Sequence, residues 1–123
     1  MTEDDIVATV GKHMAAQFPR KCPNCGRTYA TVQDYLRITT PVGQVISDDV
    51  TEGNWRPTKP LGALAFSNCP CGDTLAMSTN GLPLATTWAI MDWLRRTIAE
   101  RGVEPQAVVE ELRTRIRAEL LAN

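Results

Sequence analysis

The chain has 123 residues, 43% apolar and 22% charged, which fits one compact globular domain and excludes wholesale disorder. Thirteen Lys and Arg against 14 Asp and Glu leave a net charge of −1. That balance lacks the basic surplus of a typical nucleic-acid binder and gives no general attraction to anionic membranes.

The start, Met1-Thr2-Glu3-Asp4-Asp5, is acidic where a secretion signal would be basic. The longest apolar run, Leu61–Phe66, is six residues long and interrupted by Gly62, whereas a membrane span needs about 20. A soluble, cytoplasmic protein is expected. Thr2 with Asp5 three residues on resembles a capping box. Ile6, Val7, Val10, Met14 and Phe18 then recur at helical spacing, which predicts a helix over about residues 3–17, ended by Pro19. The lone His13 lies beside that stripe and reads as a flanking surface residue.

Next comes Cys22-Pro23-Asn24-Cys25-Gly26, followed by a short extended piece at Thr28–Ala30. Thr31 precedes Asp34 by three residues, so a short helix is expected near 31–38, with a strand over Tyr35–Thr39 as the competing reading. Residues 47–60 are dominated by turn-formers and read as a long loop whose only large apolar group is Trp55. Leu61–Asn68 and Thr74–Thr79 suit the two strands of a hairpin whose tip is Cys69-Pro70-Cys71-Gly72. Asn80-Gly81-Leu82-Pro83 marks a boundary, beyond which the apolar period becomes helical.

A helix over 84–101 carries a broad stripe (Leu84, Trp88, Ile90, Met91, Leu94, Ile98) and a second one (Ala85, Ala89, Trp93). Gly102 closes it, with Val103 placed to cover Ile98. Pro105 opens a helix over 105–122 with one apolar face of Val108, Val109, Leu112, Ile116 and Leu120. The short link makes the two an antiparallel helical hairpin.

The four cysteines carry the chemistry. Their spacing is C-x2-C, 43 residues, then C-x-C. In a cytosolic chain such pairs read as metal ligands before disulfides. Two thiolates on one tight loop chelate a metal, and the second loop completes a tetrahedron. Each Pro bends the chain between ligands, and each Gly permits positive φ, so that N–H groups are expected to turn toward the sulfurs. This pattern resembles the zinc-ribbon class, built on two such knuckles at the tips of β-hairpins. The resemblance covers Cys22–Gly26 and Cys69–Gly72 with their flanks, and the second loop departs from the common form by one residue. Cys22, Cys25, Cys69 and Cys71 are the candidate ligands of one structural Zn2+, on which folding is expected to depend. Iron would use the same four thiolates and is the second choice. Arg20, Lys21, Arg27 and Arg37 near the first loop read as neutralisation of the thiolates rather than as an anion site.

The expected architecture is α+β, a single domain over 1–123. It comprises an N-terminal helix (1–19), a four-cysteine ribbon-like region (20–80) and a helical hairpin (84–122). No P-loop, HExxH, GxSxG or GxGxxG is present, and every cysteine is claimed by a knuckle. The expected function is therefore a non-catalytic, zinc-stabilised protein-interaction module: a small regulator, adaptor or accessory subunit. Trp55 and Trp93 are its candidate partner-binding residues, and self-association as a homodimer through the C-terminal helices is expected. A nucleic-acid-binding ribbon and an iron-containing electron-transfer protein are the alternatives.

Overall fold

A computed structural model of the chain describes residues 1–42, 48–57 and 63–123. Thr2 opens the first helix, α1 (Glu3–Ala15), through a reciprocal capping box. Its Oγ1 accepts the Asp5 N–H at 3.2 Å, and the Asp5 carboxylate accepts the Thr2 N–H at 2.9 Å. Ile6, Val7, Val10, Gly11 and Met14 form its buried face. β1 (Arg20–Lys21) and β2 (Thr28–Tyr29) pair antiparallel around the first knuckle. Thr31 then caps α2 (Val32–Ile38), its Oγ1 accepting the Asp34 N–H. The helix therefore prevails over the competing strand, because the cap satisfies a backbone donor that an extended chain would leave to water.

β3 (Thr40–Pro41), β4 (Ala63–Asn68) and β5 (Thr74–Ser78) form an antiparallel sheet in that order, with Thr40 opposite Asn68 and Asn68 opposite Thr74. Pro41 sits on an edge strand, where its missing N–H breaks no ladder. The other edge, β5, is covered by side chains from earlier in the chain. Tyr35 Oη donates to the Leu75 carbonyl at 3.0 Å, Arg20 Nη1 to that of Ala76 at 2.7 Å, and Gln17 Nε2 to that of Ser78 at 3.0 Å. These bonds hold the second hairpin against α1, α2 and the first hairpin.

α4 (Leu84–Arg101) and α5 (Pro105–Ala122) have the bounds expected from periodicity. Gly102 ends α4 at φ +62°, its N–H bonded to the Ile98 carbonyl. The last helix is the hub: α1, α2, α3 (Asp48–Glu52) and α4 all pack on it. Its Val108, Leu112, Ile116 and Leu120 are buried. Gly11 faces Leu120 of α5, where an added Cβ would make an ordinary contact of 3.5 Å with Leu120 Cδ2. Arg115 ties the same contact at its rim by bonding Glu3 at 2.8 Å and also Asp4.

Three expectations change. The loop over 47–60 contains α3 and a docked segment, with Val50 only 2% exposed. Five residues are too few for a helical period to register, and one buried Val is enough to seat them. Residues 43–47 and 58–62, which hold the rest of that loop, the start of the Leu61–Phe66 run and the first two residues of the Leu61–Asn68 strand, lie outside the described residues.

On α4 one buried face replaces the two expected stripes, and Ala85 of the second stripe is exposed. The buried residues are Thr87, Ile90, Met91, Leu94 and Thr97. At 100° per residue they span about 220° to 340° from Leu84, so the two threonines complete a single face. Trp88 and Trp93 flank it, both partly buried, while Leu84 is 43% exposed. Trp93, expected in a subunit interface, packs partly buried against the chain's own core. Val103 stays 41% exposed, so the backbone bond of Gly102, without a hydrophobic cover from Val103, closes α4. No helix among the described residues is long and apolar enough to cross a membrane.

Candidate metal centre

Each hairpin carries two cysteines at its turn, and the fold sets the turns against each other. In the first, Cys22 N–H bonds the Arg27 carbonyl and Gly26 N–H bonds the Cys22 carbonyl; φ of Gly26 is +79°. In the second, Cys69 N–H bonds the Asp73 carbonyl and Gly72 N–H bonds the Cys69 carbonyl; φ of Gly72 is +97°. The two loops thus repeat one design, although the second is a residue shorter between its sulfurs. The glycine N–H groups close the turns rather than meeting the sulfurs. The backbone N–H groups that support sulfur come from Arg27 toward Cys25, Cys71 toward Cys69 and Asp73 toward Cys71.

The four sulfurs lie within 4.8 Å of one another. Across the hairpins, Cys22 Sγ is 3.7 Å from Cys71 Sγ, and Cys25 Sγ is 3.7 Å from Cys69 Sγ. A Zn–S bond of about 2.3 Å implies a tetrahedron edge of about 3.8 Å, so the donors fit a four-coordinate ion of that size. Cys22 and Cys69 are buried and Cys25 and Cys71 are exposed. Each hairpin supplies one sulfur from each side of the surface. The group could hold a metal ion, and among the described residues it is the one such cluster of His, Cys, Asp or Glu.

The electrostatics agree with that capacity. Asn24 Nδ2, 3.4 Å away, and the Asp73 backbone N–H pull the Cys71 thiol down to about 6. The Cys71 backbone N–H and the Tyr29 hydroxyl lower Cys69. Cys25 is pulled down by the Arg27 backbone N–H, but desolvation and the three neighbouring sulfurs outweigh this and push it up to about 11. Four thiolates this close repel one another, so some sulfurs are drawn toward the thiolate while another keeps its proton. A divalent cation removes that conflict and allows all four to ionise.

All four cysteines expected as ligands are therefore brought together. His13 is not among them: it is half-buried beside Gly81, with Nε2 lacking a hydrogen-bond partner among the described residues. Trp55 is not at the centre either; it packs, partly buried, against the core. Arg20 turns from the sulfurs to the Ala76 carbonyl and Met77 Sδ. Cys22 Sγ lies 3.9 Å from the Asp73 carboxylate, which its thiol addresses.

Sequence reasoning missed Tyr29 and Asn24. Tyr29 Oη donates to Cys69 Sγ at 2.9 Å, and Asn24 Nδ2 donates to Cys71 Sγ. The available signal for Tyr29 was its place on the inward side of a two-residue strand, where a buried phenol requires a partner. Nothing in the sequence points to Cys69 as that partner. The chain matches no protein-family model, no curated protein and no solved structure.

Proposed function

We propose that this protein is a non-catalytic, zinc-stabilised interaction module in which Cys22, Cys25, Cys69 and Cys71 hold one structural Zn2+ in a zinc-ribbon-like centre. The observation that carries the reading is the cluster of four sulfurs, two from each hairpin, at separations matching a tetrahedral thiolate site. Four protein ligands fill the coordination sphere of zinc and leave no position for water or substrate, so the ion's role is to clasp the hairpins. The interaction half of the reading is supported by surface chemistry. Phe66 is 38% exposed at the edge of a groove of about 120 Å3 whose floor includes Met14, Leu36 and Ile116. Of the four cations on which a nucleic-acid reading depends, Arg20 is already committed to the Ala76 carbonyl, which favours a protein partner.

Elemental analysis of protein purified without added metal tests the first half, and one zinc per chain is the expected result. A coloured, iron-containing protein would replace zinc with the electron-transfer reading, and freely titratable thiols without stoichiometric metal would defeat both. For the second half, the full chain is used as bait in native lysate, with zinc-loaded Phe66→Glu as the comparison. Specific capture that the substitution abolishes is expected. Retention on heparin that falls steeply with salt would favour nucleic acid instead.

A further inference from the structure

We propose that Tyr29 is a positioning residue of the metal centre, its phenol holding the Cys69 sulfur in ligating geometry and setting the strength with which the site retains its ion. The inference rests on the zinc reading above. Tyr29 stands on β2, four residues after Cys25, yet its hydroxyl reaches across to the other hairpin, 2.9 Å from Cys69 Sγ. Both partners are inside the fold, Tyr29 at 0% and Cys69 at 2% exposure. A phenol O–H in such a place has no water to turn to, and leaving it unpaired is costly, so the bond to sulfur is held rather than exchanged with solvent.

The ring itself is fixed from behind. Tyr29 meets Tyr35 edge-on, with centroids 6.0 Å apart at 83°, and Tyr35 in turn leans on Phe18 at 5.5 Å. Tyr35 is anchored to the second hairpin by its hydroxyl on the Leu75 carbonyl. The donor therefore approaches the sulfur from a rigid aromatic stack that touches both hairpins. A hydrogen bond to sulfur withdraws electron density and orients the lone pairs, and it is stronger in a dry site than in water. At a cluster carrying four sulfurs, this donor offsets charge on the buried side, where no solvent does so.

The test compares Tyr29→Phe with Tyr35→Phe in the full chain. Each removes one buried hydroxyl at nearly constant volume, but only the first touches sulfur. Zinc affinity is read by competition with a chromophoric chelator, and the sulfur-to-metal charge-transfer band is read after Co2+ substitution. Wild type is expected to take up one ion per chain. Tyr29→Phe should then weaken zinc binding about 10- to 100-fold and shift the cobalt band. Tyr35→Phe, which keeps the ring contact and removes only the anchor on Leu75, should lower thermal stability and change affinity and band far less than Tyr29→Phe does. An unaltered affinity and band in Tyr29→Phe, or equal changes in both variants, would overturn the positioning role and leave the zinc reading standing. A wild type that takes up no metal overturns both. Should Tyr29→Phe fail to fold, cadmium-substituted wild type decides by NMR. A slowly exchanging Tyr29 hydroxyl proton coupled to the metal nucleus supports the role, and its absence refutes it.

Discussion

Replacing Trp55 by Ala should lower stability by about 3 kcal/mol, because residues 48–57 belong to the fold. Trp55 packs, partly buried, against the core, and the residues around it are fastened to α4. Arg56 makes a two-pronged bond to the Asp92 carboxylate at 2.6 and 3.0 Å, and its guanidinium stands 5.9 Å from the Trp88 ring centroid. Trp88 Nε1 donates to the Pro57 carbonyl at 2.9 Å. A buried Trp removes about 150–250 Å2 from water. Taking roughly two-thirds of that area at about 25 cal/mol/Å2 gives about 2.5–4 kcal/mol, of which ordering of the side chain returns a fraction. For a chain of this length, 3 kcal/mol corresponds to a fall in Tm of about 10–12 °C. Urea and thermal unfolding of metal-loaded wild type and variant measure it. A loss below about 0.5 kcal/mol would refute the reasoning and return Trp55 to the role of partner anchor.

Cys69→Ser should lose stoichiometric metal and loosen the hairpins while far-UV dichroism keeps most of the helical signal; a full complement of metal in the variant would contradict the ligand assignment. Thr31→Ala removes the Oγ1 that accepts the Asp34 N–H and should cost about 1 kcal/mol by equilibrium unfolding, with the loss falling on α2. Gly102→Ala places a side chain at φ +62° and should cost about 1 kcal/mol from backbone strain alone, since nothing stands within 4 Å of the added Cβ. The Thr2 backbone N–H and hydroxyl hold the Asp5 carboxyl below its ordinary 3.8, so the capping box contributes fully above that value and its contribution is lost as pH falls through the lower folded value. Thermal melts between neutrality and strong acid should therefore show a shallower acid decline in Thr2→Ala than in wild type.

The sequence discloses those parts of the fold whose signals are local. The capping residues Thr2 and Thr31, the terminator Gly102 and the apolar period of the last helix each act within a turn or two, and each stands where expected. The cysteine cluster was legible for the same reason, since two close pairs identify themselves by spacing. What escaped depends on partners distant in the chain. Thr87 and Thr97 are absent from both expected stripes, yet they are buried at 0% and 7% because the neighbouring residues of the same face carry them inside. They complete the one buried face of α4, while Ala85 of the expected second stripe is exposed. Trp93, at the margin of that face, packs partly buried on the chain's own core, a contact that no period along α4 announces. The Tyr29–Cys69 bond joins residues 40 apart, and no periodicity reports it.

The same long-range bonds bear on what the metal contributes. Small zinc fingers fold only when the ion is bound, because their chains have almost no core of their own. Here the buried cluster runs from Cys22, Tyr29 and Cys69 through Tyr35 and Met77 to Ile90, Ile116 and Leu120. The first hairpin meets the second directly through Tyr29 on Cys69 and Arg20 on Ala76, and α2 meets it through Tyr35 on Leu75. Packing thus contributes to closing the 43 residues between the knuckles. The cost that packing cannot meet is electrostatic: thiolates within 4.8 Å of one another, two of the sulfurs facing solvent. A divalent cation cancels that repulsion and locks the exposed ends of the hairpins. On the zinc reading proposed above, the metal would act as a clasp on a packed core rather than as the nucleus of the fold.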